Sequence, residues 1–296
     1  MCTREITAYH NPCGGRPIFG WEGIKNGLQE LKLPCGKCPE CCKDYYTMWA
    51  TRGSRELARW DTSLFITLTY NEENLPDDNS LDKKHVQDFI KRVKKEFHSS
   101  KANPIRQTYC GEYGSTTGRP HYHVILYNCD FTDRKPHYTS NAGHQVFTSK
   151  KLTDLWGKGN AEFGFATPAS IAYLYKYILK KKSRKEKLAG PLLIETPDGV
   201  THEVAHEFIE SSRNPGIGAH LRESESIKKG FLSVNGVRTK LPKYYLNWLK
   251  ENEPNVFAKI QDKKFDFMSN RPKETSLRKK QKEDAQKKLT DTRKKL

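Results

Sequence analysis

No stretch of this 296-residue chain comes near the roughly 18 consecutive apolar residues that a membrane-spanning helix needs. The opening residues Met1-Cys2-Thr3-Arg4-Glu5 have no apolar h-region, so no secretory signal is expected. Internal repeats are absent, and so is a Gly-x-x-x-x-Gly-Lys-Ser/Thr loop, which argues against a built-in ATP-driven motor. Apolar residues are sparse at 35%, although 11% aromatics still permit a packed core. Acidic residues are the most telling shortage. Only 35 Asp and Glu offset 52 Lys and Arg, leaving a net charge of +17. Such an excess favours a polyanionic partner, nucleic acid above all, through counterion release. The excess is concentrated at one end: Arg271 to Leu296 holds 11 basic and 4 acidic residues with almost nothing apolar. That stretch reads as a disordered or loosely helical basic tail.

Eight cysteines without a secretory signal point to a reducing compartment, where clustered thiols bind metal more often than they form disulfides. Six lie in the first 42 residues, and Cys35-Gly36-Lys37-Cys38-Pro39-Glu40-Cys41 repeats Cys-x-x-Cys with overlap. Cys35, Cys38 and Cys41 would supply three ligands of a structural Zn²⁺, with Cys2 or Cys13 as the fourth. Ordinary reduced thiols at a helix start are the alternative.

The pattern along the chain alternates helix and strand. Residues 43–60 suit a helix, and Leu64 to Tyr70 is a β-branched and aromatic strand. Asp82 can cap a helix whose apolar stripe is Val86, Phe89, Ile90, Val93 and Phe97. Ile105–Tyr113 and His121–Tyr127 form a hairpin, while residues 128–160 read as an inserted loop. Thr167 caps a further helix that starts at Pro168 and runs to about Lys182. Thr196-Pro197-Asp198-Gly199 marks a second hairpin turn. The order predicts an α+β fold, a central antiparallel sheet with flanking helices. Four segments are expected: a Cys-rich N-terminal part (1–60), a core (61–182), an extension packed on it (183–268) and the basic tail (269–296).

Chemistry concentrates in two places. Strand alternation puts His121 and His123 on one face, roughly 6.5–7 Å apart, so both imidazoles can converge on one ion. Glu112, on the paired strand, can join them, and its carboxylate makes the site suitable for Mg²⁺ or Mn²⁺. On the 168–182 helix, Ile171, Leu174, Tyr175 and Ile178 form an apolar stripe, with Tyr173, Tyr177 and Lys180 on the opposite side. Tyr173 and Tyr177 stand one turn apart and are free to act on phosphorus as nucleophiles.

Gly111-Glu112-Tyr113-Gly114, Arg119-Pro120-His121-Tyr122-His123 and Tyr173-Leu174-Tyr175-Lys176-Tyr177-Ile178-Leu179-Lys180 resemble the motifs of HUH endonucleases. They are most similar to those of the replication initiation proteins of microviruses, in the gokushovirus branch. Phe65–Tyr70, Pro34-Cys35-Gly36-Lys37-Cys38 and Asn214-Pro215-Gly216-Ile217-Gly218 extend the resemblance over about residues 1–250. It implies an HUH sandwich and a metal-dependent nickase that starts rolling-circle replication through a 5′-phosphotyrosine ester. His121, His123 and Glu112 would hold Mg²⁺ or Mn²⁺, Tyr173 and Tyr177 would be the nucleophiles, and Lys180 their companion. Single-stranded origin DNA would be the substrate, a host helicase and polymerase the partners, and the bacterial cytoplasm the location.

Two other classes compete. His202-Glu203-Val204-Ala205-His206 has zinc-protease spacing, with His220 or Glu223 as a conceivable third ligand, yet it alternates as a strand would. A non-enzymatic nucleic-acid binder would use the charge and the aromatics, and would need no tyrosine pair.

Overall fold

The computed structural model describes all residues except Met1, 14–15, 177–189, Asp198, 235–236, 271–274 and 295–296. The chain divides into two compact units: Met1–Met48 with Leu249–Leu296, and Trp49–Trp248.

The larger unit is built on a seven-stranded sheet. β3 (Ser63–Thr69), β4 (Arg106–Tyr113), β5 (Pro120–Tyr127), β6 (Lys135–Thr139), β7 (Gln145–Thr148), β8 (Ala161–Phe165) and β11 (Phe208–Ser211) lie in the order β11-β4-β5-β3-β8-β7-β6. Every pairing is antiparallel, in keeping with the α+β class expected. Alternation splits the central strands into two faces. Leu64, Ile66 and Leu68 of β3 and Tyr122, Val124 and Leu126 of β5 point one way, into the main core. Helix α3 (Lys83–Glu96) covers that face with Val86, Phe89, Ile90 and Val93, and Phe97 packs at its edge. Each such side chain contributes about 1.5–3 kcal/mol by leaving water. Asp82 starts α3 as expected, accepting a hydrogen bond from the Lys84 amide at 2.7 Å.

The opposite face carries α5 (Pro168–Lys176), which buries Ile171, Leu174 and Tyr175. Thr167 caps it, accepting from the Ser170 amide at 3.2 Å. The expected continuation to Lys182, with Ile178 on the stripe, falls outside the described residues. Helix α2 (Pro39–Leu57) meets α5 at Gly53, where a Cβ would lie 2.7 Å from both Ile171 Cγ2 and the Tyr175 ring.

Residues 128–160 are not the loop that the sequence suggests. They form the β6–β7 hairpin and α4 (Lys150–Trp156), and β8 follows to pair with β3. β6 is exposed at every position, so it lacks the alternation by which a half-buried strand announces itself. α4 is capped by the Ser149 hydroxyl and ends at left-handed Gly157. Arg92 then donates to the carbonyls of Leu155 and Trp156, at 2.7 and 3.1 Å. Trp156 is buried, its indole N–H donating to the Thr69 carbonyl at 2.8 Å.

The Pro-Asp-Gly segment does join a hairpin, β9 (Leu192–Glu195) and β10 (Thr201–Val204). A short α6 (Glu225–Lys228) precedes a further hairpin, β12 (Phe231–Val234) and β13 (Val237–Lys240), and α7 (Lys243–Asn252) begins in this unit. The smaller unit contains the β1 (Ile6–Tyr9)–β2 (Glu30–Leu33) hairpin with α1 (Trp21–Lys25) between its strands. It also holds α8 (Pro254–Ser269) and α9 (Ser276–Lys294), so the basic tail is helical along most of its length. No helix among the described residues is long and apolar enough to cross a membrane.

Candidate metal and nucleophile site

The β4–β5 register sets Glu112 directly opposite His121 and Cys110 opposite His123. Partners opposite each other in an antiparallel pair share a face, so Glu112, His121 and His123 come together without any loop rearrangement. The Glu112 carboxylate oxygen Oε1 lies 2.9 Å from His123 Nε2 and 3.5 Å from His121 Nε2. The two imidazoles meet edge to face, with ring centroids 5.2 Å apart. Glu112 and His123 are buried and His121 is half-buried, which leaves the cluster approachable from one side.

Neighbouring groups orient both rings. His121 Nδ1 lies 3.3 Å from the Arg119 carbonyl oxygen. A carbonyl can only accept, so that contact places the proton on Nδ1 and leaves Nε2 with a free lone pair in the neutral ring. Thr67, paired with His123 across β3 and β5, holds His123 Nδ1 at 3.3 Å through its hydroxyl. Phe65, two residues earlier on the same face, stacks on the His123 ring at 5.2 Å.

These residues suit a divalent cation. One ligand atom from each of Glu112, His121 and His123 lies within 4.8 Å of the others. Adjacent ligands of an octahedral ion at about 2.1 Å sit about 3 Å apart, close to the two carboxylate–imidazole separations. Two nitrogens and one oxygen are acceptable to Mn²⁺, and the carboxylate extends the choice to Mg²⁺.

Among the residues of α5, the structure brings Tyr173 to this cluster. Its ring centroid is 5.7 Å from His123 and 6.0 Å from Phe65, edge-on to both, and it is 45% exposed. Tyr175 points away. It is 1% exposed, stacks on Trp49 at 5.6 Å and shares a 3.0 Å hydrogen bond with the Thr108 hydroxyl. Burial pushes the Tyr175 phenol pKa up, the reverse of what a nucleophile needs. Tyr177 and Lys180 lie outside the described residues.

Thr67 and Phe65 are the neighbours that spacing alone missed. Their signal was the alternation of β3 itself, since both occupy its non-core positions. The protease spacing does not assemble. His202 lies on strand β10 with Nε2 3.3 Å from Asn79 Nδ2, whereas His206 Nε2 contacts the Gly190 carbonyl at 3.0 Å. His220 sits elsewhere, 3.9 Å from Glu56. The cysteine cluster in the smaller unit takes Cys2 as its fourth member, while Cys13 is exposed.

A family model for replication-associated proteins of the ORF2 type matches residues 63–182, the segment that carries the triad and α5. Curated relatives match over longer spans. Replication-associated protein VP4 of Bdellovibrio phage phiMH2K is 32% identical over 270 residues, 88% of this chain and 81% of the relative. Replication-associated protein ORF2 of Spiroplasma virus 4 is 29% identical over 256 residues, 78% of this chain and 76% of its own length. Replication-associated protein ORF4 of Chlamydia phage 1 is 30% identical over 153 residues, half of this chain and 38% of that protein. No solved structure matches the chain significantly. With nearly its whole length aligned at that identity, the chain belongs to the replication-associated protein family of the microviruses.

Proposed function

We propose that this protein initiates rolling-circle replication by nicking and rejoining single-stranded phage DNA at the origin. The observation that carries the reading is the placement of Tyr173, an exposed phenol edge-on to His123 beside a carboxylate–imidazole triad. The replication-associated relatives supply the biological setting.

Glu112, His121 and His123 would hold Mg²⁺ or Mn²⁺, which when bound neutralises phosphate charge and stabilises negative charge on the departing oxygen. Tyr173 gives up its phenolic proton, its oxygen attacks the scissile phosphorus, and the bond from phosphorus to the 3′ oxygen breaks. The 5′ phosphate stays on the tyrosine as an ester, and the 3′ oxygen takes a proton to become a free hydroxyl. That hydroxyl primes a host polymerase. Unwinding falls to a host helicase, since the chain has no phosphate-binding loop of its own. After one circuit Tyr177 repeats the attack on the regenerated origin, and the released 3′ hydroxyl displaces Tyr173 from its ester. Phosphodiester energy is conserved through both exchanges, so no nucleotide hydrolysis is required. Lys180, one turn beyond Tyr177, would hold phosphate or ease loss of the phenolic proton.

The test uses labelled single-stranded DNA tiling the encoding genome, with Mn²⁺ or Mg²⁺. A label that survives denaturing electrophoresis on the protein is expected. It should vanish in the double variant Tyr173→Phe, Tyr177→Phe and when the divalent ion is chelated. An adduct that persists in the double variant would sink the assignment. Tight DNA binding with no adduct from any tile would leave a non-enzymatic binder as the better account.

A further inference from the structure

We propose that Cys2, Cys35, Cys38 and Cys41 bind one structural Zn²⁺ through four thiolates, a site separate from the histidine triad. All four are free cysteines, and their sulfurs lie within 4.8 Å of one another. A tetrahedral zinc with bonds of about 2.3 Å requires sulfur–sulfur edges of about 3.8 Å. The Cys2–Cys38 edge is 3.8 Å. Sulfurs binding a multi-iron cluster are shared among different metal atoms and stand farther apart, so the spacing selects a single ion.

The backbone is arranged for thiolate charge. The amides of Lys37 and Cys38 donate to Cys35 Sγ at 3.4 and 3.2 Å, and the Cys35 amide donates to Cys2 Sγ at 3.3 Å. This looping of N–H groups around sulfur requires a tight turn between Cys35 and Cys38, which Gly36 supplies at φ +72°. Cys41 extends from the first turn of α2, where the unpaired amides of the helix start favour a negative ligand. Two further thiols are excluded. Cys13 is exposed, and Cys42 directs its thiol to the Lys37 carbonyl at 3.5 Å. Four sulfurs complete the tetrahedron and leave no open position, so the ion ties Cys2, near the chain start, to the entrance of α2 without doing chemistry.

Metal analysis of the purified full-length protein decides the matter. A single zinc per chain is expected, retained in Cys13→Ser, in Cys42→Ser and in His121→Ala, His123→Ala, and lost in Cys35→Ser, Cys38→Ser. Retention in the histidine variant separates this site from the proposed catalytic one. If the cysteine double variant fails to fold, cobalt exchanged into the wild type should show strong thiolate-to-metal absorption with tetrahedral bands. Wild-type protein without zinc, iron in its place, or a cobalt spectrum lacking sulfur ligation would overturn the assignment.

Discussion

Tyr173 and Tyr175 differ by 200° of helical turn, and that angle decides which can reach DNA. Tyr175 is packed between Trp49 and the Thr108 hydroxyl, with Ser211 at 3.5 Å, and its work is structural. Tyr175→Phe should therefore keep the protein–DNA adduct at wild-type yield while costing about 0.5–1.5 kcal/mol in urea unfolding. Thr108 keeps a second partner in Ser211, at 3.1 Å, so the penalty belongs at the low end. Loss of the adduct in this variant would reverse the roles of the two tyrosines. The distinction was legible in the sequence because an aliphatic stripe fixes the helix phase. The orienting contact from Thr67 to His123 was not, because it depends on the β3–β5 register, which no single strand encodes.

At the scale of elements, α2 and α5 come together through a glycine. Gly53→Ala would gain up to about 1 kcal/mol in helix propensity. The added methyl would meet Ile171 Cγ2 and the Tyr175 ring at 2.7 Å, and neither a β-branched carbon nor a packed ring can swing aside. Overpacking of about 1–3 kcal/mol outweighs propensity, so the variant should unfold at lower urea than wild type. A stabilised variant would mean that the helices separate freely. α2 also carries buried Glu56, which accepts from the Gly218 amide at 2.7 Å, pairs with Arg106 at 3.4 Å and lies 3.9 Å from His220. Desolvation lowers the His220 pKa, and Arg59, Arg106 and Arg55 reinforce it against the pull of Glu56. Its neutral form is favoured in the folded state. Stability linked to His220 is thus present above the unfolded histidine pKa of about 6.5 and is lost as pH falls through the lower folded value. Thermal melting should decline over that window, and the decline should be shallower in His220→Gln. An identical slope in the two proteins would remove His220 from the account. The elements hardest to read were those with the least buried surface. β6 buries nothing, β8 buries only Ala161 and Phe163, and seven-residue α4 is shorter than the window in which helical periodicity shows. α4's Ser149 and Gly157 boundaries were there to be read.

For the whole molecule, long-range pairing decides what local pattern left open. Cys2 joins Cys35 because β1 and β2 pair, with Ile6 opposite Leu33, whereas spacing alone could not choose between Cys2 and Cys13. Charge, by contrast, needs no fold to be read. The net +17 grips phosphate wherever it is displayed, and α9 displays much of it on a helix with few apolar residues. Residues 271–296 contribute 11 basic against 4 acidic side chains. Each phosphate neutralised on single-stranded DNA adds about 0.7 to the slope of log affinity against log salt, so seven net charges set a ceiling of about 5 on the tail's share. Removing residues 271–296 should flatten the slope by no more than that and weaken binding at moderate salt. The yield of protein–DNA adduct at low salt and saturating protein should stay within about threefold, because Tyr173 and the triad lie in the other compact unit. An unchanged salt slope would mean that the tail's charge faces something other than DNA. Loss of adduct at saturation would mean that the tail acts in the chemistry and not only in holding the strand.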